Sequence, residues 1–205
     1  MISIVLLAVT VHEACHGLAA FRLGDDTAYL SGRLTLNPVA HIDLFGSLVL
    51  PLALYFLSNG AFTFAWAKPV PVNPLRFRRD ISMRTGMAAV AAAGPLSNIL
   101  LAVLFAVLYR VGSVADNPYS QTLAYLAILA VSINLYLAFF NFIPIPPLDG
   151  SKVMLHFLSP NAAHMMLRLE PYGFFIVLLL FYATPLGKLV ALLTAGAVAL
   201  LLGIG

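Results

Sequence analysis

Residues 2–20 form an apolar stretch, and near its centre stands Val11-His12-Glu13-Ala14-Cys15-His16. A hydrocarbon core offers the backbone no hydrogen-bond partners, so an apolar run close to the ~20 residues of a membrane span has to be helical. On a helix, positions four apart share a face with Cβ atoms about 5–6 Å apart, so the imidazoles of His12 and His16 can hold one metal ion between them. This is the H-E-x-x-H pattern. Glu13 is displaced by about 100° round the helix, beside the metal rather than on it, where a carboxylate can act as a general base. Left without a partner, each charge at the centre of a span costs about 2.5–3.5 kcal/mol, so a metal site explains the cluster better than chance does.

Composition supports the same reading. Of 205 residues, 61% are hydrophobic and only 9% charged, and the mean hydropathy is +0.97. A soluble domain carries roughly 25% charge, so the expectation is an all-α integral membrane protein. It is read as a single domain over 1–205, with a core in 1–155 and C-terminal helical segments in 156–205. The net charge of +3 is spread between apolar segments rather than gathered into a stripe, which argues against a nucleic-acid partner. One cysteine, Cys15, excludes an intrachain disulfide. No basic residues precede the first apolar stretch, so it reads as a retained helix rather than a cleaved leader.

Further along, residues 24–43 are polar for this chain, and Leu30, Leu34 and Leu36 interleaved with polar residues predict short extended structure. Residues 44–58 are apolar but short for a span, with Pro51 near the middle, as in a re-entrant segment. In 60–75, Phe62, Phe64 and Trp66 alternate before Pro69, Pro71 and Pro74, which predicts extended chain buried in protein or lining a watery cavity. The region 24–75 is therefore read as re-entrant and β-like. Residues 83–109 and 121–142 are spans, 151–158 a short helix and 159–170 a polar connection. Two last apolar runs, 171–183 and 187–203, are split by Thr184-Pro185. The total is about 5–6 membrane segments.

A catalytic metal centre of this kind takes three protein ligands, and the motif supplies two. Asp149, after a proline-rich turn and before Gly150, is the leading carboxylate; His41 is the leading histidine. Basic residues flank 44–58 on both sides, with Arg22 and Arg33 before it and Lys68, Arg76, Arg78, Arg79 and Arg84 after it. The positive-inside rule puts both flanks in the cytoplasm, so 44–58 dips in and returns. Counting the later crossings then brings Asp149 to the same side as the His12–His16 turn. A single crossing would separate them by ~30 Å.

Three ordered motifs resemble the site-2 protease family of intramembrane zinc metalloproteases. They are H-E-x-x-H at 12–16, A-G-P-x-x-N at 93–98 and N-x-x-P-x-P-x-L-D-G at 141–150. The stretches 32–43 and 66–74 look like its small prokaryotic branch, and the similarity covers roughly residues 8–155. This resemblance implies one Zn²⁺ per chain, held by His12, His16 and Asp149, with Glu13 as base. It also implies that Asn141, and with it Asn98, hydrogen-bonds the developing oxyanion, and that 60–75 presents substrate as an added strand. A transmembrane protein or peptide substrate is implied, in the plasma membrane of a prokaryote, with the centre nearer the cytoplasmic side. The chain departs from the family pattern at Cys15 and Ser151, where glycine is common. Cys15 is expected to pack between helices and Ser151 to cap the following helix. No PDZ or CBS module, of the kind found elsewhere in the family, is expected within these 205 residues. The competing reading is a metal-binding membrane protein without hydrolysis, a Zn²⁺ transporter or a pseudoprotease.

Overall fold

The computed structural model describes residues 1–60, 67–112 and 119–204. All regular secondary structure among these residues is helical, with no β-strand among them. The α-helices are α1 (Ile2–Arg22), α2 (Thr27–Leu30), α3 (Leu50–Leu57), α4 (Met83–Gly112), α5 (Ser120–Asn141), α6 (Asp149–Phe157), α7 (Pro160–Leu169), α8 (Gly173–Ala183) and α9 (Leu186–Leu202). Among the described residues, four stretches are long and apolar enough to cross a membrane: α1, α4, α5, and α7 with α8 as Pro160–Ala183. Leu44–Leu57 and Leu186–Leu202 are shorter apolar helices.

The core is built where small residues let helix backbones approach. Ala102 and Ala106 of α4 pack with Val131 and Leu135 of α5 and with Val198 and Leu202 of α9. On α1 the buried positions include Ala8, His12 and His16, and on α4 Val90, Gly94 and Asn98. Each set is spaced by four residues and so forms one stripe. The Asn98 amide donates to Ala8 O, and the His16 ring bonds to Val90 O, so the two stripes face each other antiparallel. Away from this core, Leu100, Leu104, Val107 and Leu108 of α4 and Leu192 and Leu200 of α9 are exposed, an apolar surface suited to lipid.

Three expectations about local structure need correction. The alternation at Leu30, Leu34 and Leu36 does not make a strand. Thr27–Leu30 is a helical turn started by the Asp25 carboxylate on Thr27 N–H, and Pro38–His41 is a 3₁₀ turn capped by Asn37. Asp and Asn side chains satisfy backbone donors locally, which defeats a pattern with no partner strand beside it. Residues 159–170 are not merely a connection. Ser159 caps α7, Pro160 occupies its first turn, and a 3₁₀ turn at Glu170–Tyr172 leads into α8. Finally, the β-like reading of 24–75 fails for its described part. Residues 61–66 lie outside the described residues, and 67–73 have no regular secondary structure. Proline at 69, 71 and 74 removes every second or third donor there. The N–H groups of Lys68, Val70 and Asn73 go to His41 O, Glu13 and Asp25.

The apolar excursion after His41 begins as a π-helical segment capped by Asp43, then continues as α3. Leu44–Leu57 is about 21 Å long at 1.5 Å per residue, short of a core of about 30 Å. Lys68 N–H donates to His41 O at 2.9 Å, so the chain comes back beside the residue from which it set out. Arg78 N–H then meets Leu23 O at 2.8 Å, and α4 starts at the end of α1.

Candidate metal centre

The α1 stripe carries both histidines towards α4, where Gly94 leaves room for them. A Cβ placed on Gly94 would lie 2.5 Å from His16 Nε2 and 2.6 Å from His12 Nε2, closer than real Cβ atoms come to anything. Only glycine lets the α4 backbone approach the two rings this closely. The third group arrives from the other end of the sequence. After α5 the chain turns sharply and α6 begins at Asp149; a Cβ on Gly150 would fall 2.2 Å from Phe142 O, so glycine is required for this turn too.

The result is a triangle of donor atoms. His12 Nε2 and His16 Nε2 are 3.0 Å apart, and Asp149 Oδ2 lies 3.1 Å from the first and 3.2 Å from the second. Zinc bonds of about 2.0–2.2 Å in tetrahedral geometry separate neighbouring ligand atoms by about 3.3–3.6 Å. The triangle is within a few tenths of an ångström of one tetrahedral face, and two imidazoles with a carboxylate are a donor set suited to zinc. The residues therefore fit the ion. The Nε2 atoms of both histidines face a single Asp149 carboxylate oxygen, Oδ2. The other carboxylate oxygen, Oδ1, is 4.0 Å from Lys152 Nζ.

Both rings are oriented from behind. His16 Nδ1–H donates to Val90 O at 2.7 Å, and His12 Nδ1–H donates to Asn98 Oδ1 at 2.6 Å. Placing each proton on Nδ1 leaves the Nε2 lone pairs free to face the centre. Asn98 is fully buried and its amide is fully used: Nδ2 donates to Ala8 O and to Asn134 Oδ1. Asn134 in turn donates to Ala130 O. In this arrangement Asn98 has no hydrogen left for an oxyanion, and its contact is with the ring of His12.

Glu13 stands beside the histidines, with ligand-type atoms of all three residues within 4.8 Å of one another. Its Oε2 accepts from Val70 N–H at 3.0 Å. Among the described residues, the remaining candidates make no hydrogen bond to the triangle. His41 is buried, but its Nε2 bonds Thr35 O. Asn141 donates from Nδ2 to Leu137 O on its own helix. Cys15 is half-buried, and Ser151 donates to Leu148 O instead of capping an N–H of α6. Sequence reasoning named Gly94 within the 93–98 motif without giving it a task, and it missed Val90 O and the Val70 N–H. The spacing of 90, 94 and 98 opposite 8, 12 and 16 was the available signal for the first two.

The profile of Peptidase family M50 matches residues 111–183. A Bacillus subtilis protein named as a zinc metalloprotease, YwhC, is 36% identical over 189 residues, spanning 90% of this chain and 80% of that one. Rip2 of Mycolicibacterium smegmatis, also named as a zinc metalloprotease, is 28% identical over 89% of this chain and 66% of its own length. A Methanocaldococcus jannaschii protein of similar name is 43% identical over 65 residues, 32% of this chain and 31% of its own. No solved structure matches the chain at a significant level. With a similarity to YwhC that runs nearly end to end and a peptidase profile across its second half, the chain belongs to Peptidase family M50 and is a metalloprotease with membrane-length apolar helices.

Proposed function

We propose that this chain is an intramembrane zinc endopeptidase that cuts transmembrane segments of membrane-protein substrates. The observation that carries the reading is the donor triangle of His12, His16 and Asp149 with the Glu13 carboxylate beside it, inside a bundle of membrane-length helices. His12, His16 and Asp149 would hold one zinc ion per chain. A zinc ion there supplies a lowered pKa for bound water and polarisation of the scissile carbonyl. Glu13 accepts the proton of the attacking water and returns it to the leaving amine. Asn98 acts on His12 rather than on substrate, holding its ring and tautomer. Asn141 keeps one amide hydrogen beyond the bond to Leu137 O, and with it can meet a substrate carbonyl. The donors converge at one depth instead of following a path across the membrane, which favours hydrolysis over transport.

A substrate helix must unwind before a peptide bond can be reached, and pairing to 60–75 would hold it open. In its described part the N–H groups of Lys68, Val70 and Asn73 are spent on the protein itself, so what these residues offer a substrate is their carbonyl oxygens. The return of the chain from His41 to Lys68 supports a re-entrant excursion, with α1 running inwards and the centre nearer the cytoplasmic face of a prokaryotic plasma membrane. Reporters fused at residues 30 and 75 should then report the same face; opposite faces would reject this topology. Purified protein should carry about one zinc per chain and cut a synthetic transmembrane peptide in vesicles. A chelator should stop the cutting and added zinc restore it. Cleavage that survives complete zinc removal would overturn the reading.

A further inference from the structure

Asp25 is fully buried although it is a carboxylate, and it lies outside the metal centre. Its two oxygens face different parts of the chain. Oδ1 accepts from Thr27 N–H and from the Thr27 hydroxyl, at the start of α2. Oδ2 accepts from Asn73 N–H at 2.6 Å. Three residues before Asn73 stands Val70, whose N–H is the donor to Glu13. The Val70 side chain is buried, and its Cγ1 lies 3.3 Å from where a Cβ on Gly17 would be. Glu13 and Gly17 are one turn apart on α1, so one face of that helix receives this segment while another faces α4.

We propose that Asp25 is a positioning residue for the reaction, acting through Val70 on Glu13; this rests on the reading of Glu13 as the base. The sequence Pro69-Val70-Pro71 transmits the effect. Each proline fixes its own φ and restricts the residue before it, so the segment has few ways to turn a single N–H. Anchoring Asn73 to Asp25 on one side and Lys68 to His41 O on the other sets the direction of the Val70 N–H. That N–H in turn holds one oxygen of Glu13 and leaves the other available for proton transfer. Asp25 touches neither substrate nor metal ligand in this scheme. The Asp26–Arg76 pair beside it is half-exposed and carries less of the constraint.

The test uses the full chain, loaded with zinc and reconstituted in bilayers, as wild type, Asp25→Ala, Asp25→Asn and Val70→Pro. Zinc per chain, kcat and KM on a synthetic transmembrane peptide, and amide hydrogen exchange over 67–73 are read together. For Asp25→Ala we expect unchanged zinc and KM, kcat per zinc lower by about tenfold or more, and faster exchange at Val70. Asp25→Asn keeps one acceptor oxygen and should fall between. Unchanged exchange at Val70, or activity lost only in proportion to zinc, would show a purely structural Asp25 and overturn the proposal. Should Asp25→Ala fail to fold, Val70→Pro deletes the donor and leaves Asp25 in place; wild-type kcat per zinc in that variant overturns the proposal equally. Cleavage by Glu13→Gln at the wild-type rate would instead remove the functional reading beneath it. An inactive Glu13→Gln beside fully active Asp25→Ala and Val70→Pro would remove only the role of Asp25.

Discussion

Glu13→Gln should leave a protein that binds zinc as wild type does and cleaves a synthetic transmembrane peptide slower by about 10²–10⁴-fold, the usual contribution of a positioned general base. Glutamine keeps the length and shape of the side chain, and its carbonyl oxygen can still accept from Val70 N–H. The three donors of the triangle belong to other residues, and the two histidines keep their bonds to Asn98 and Val90 O. Only the capacity to take a proton is lost. Metal analysis and cleavage measured on the same preparation separate the two effects. Equal cleavage by the variant would show that Glu13 is not the base, and a loss of zinc would show that its carboxylate belongs to the ligand set.

What could be read from the sequence was whatever depends on spacing. Spans at α1, α4 and α5 follow from apolar length alone. The shared face of His12 and His16 follows from helical periodicity, while Asp149 was reached by ranking the carboxylates, by an expected parity of crossings and by the resemblance. Asp149 lies more than a hundred positions from His12, yet the structure sets the two 3.1 Å apart. Helix α7 was hidden because Asn161, His164 and Arg168 give it the composition of a connection, while its start depends on a single cap at Ser159. The fixing of Glu13 was hidden for a different reason. Its partner is a backbone N–H, and backbone donors carry no residue type to read; only the prolines on either side of Val70 mark the place.

Asn98 shows how a motif residue can be placed correctly and still be given a different task. The sequence expectation had it facing the site, and it does contact His12. Its hydrogen-bond inventory then decides what it can do there. An amide has two hydrogens and one acceptor oxygen, and all three positions are occupied, by Ala8, Asn134 and His12. Inside an apolar bundle such a closed network favours a single arrangement, because any rotation of the amide would leave buried groups unpaired. The chain from Asn134 to His12 therefore links three helices and the orientation of one imidazole.

Gly94→Ala should empty the centre while leaving the bundle folded. The added methyl would sit 2.5 Å from His16 Nε2 and 2.6 Å from His12 Nε2, so something must move. Helix α4 is not free to retreat, because Ala102 and Ala106 pack closely with α5 and α9, and Asn98 is tied to Ala8 O. The rings must give way instead, and turning either one breaks its Nδ1 bond to Asn98 or Val90 O. Alanine is the better helix former by about 1 kcal/mol, so helix content should hold and thermal unfolding should still be cooperative. Zinc per chain should fall well below one, with cleavage falling alongside it. Gly196→Ala is the matched control: it lies on α9, and a Cβ there meets nothing within 4 Å. Wild-type zinc and cleavage are expected from that variant. Full zinc binding by Gly94→Ala would mean that the rings do not stand against the α4 backbone, and the geometry of the triangle would have to be abandoned.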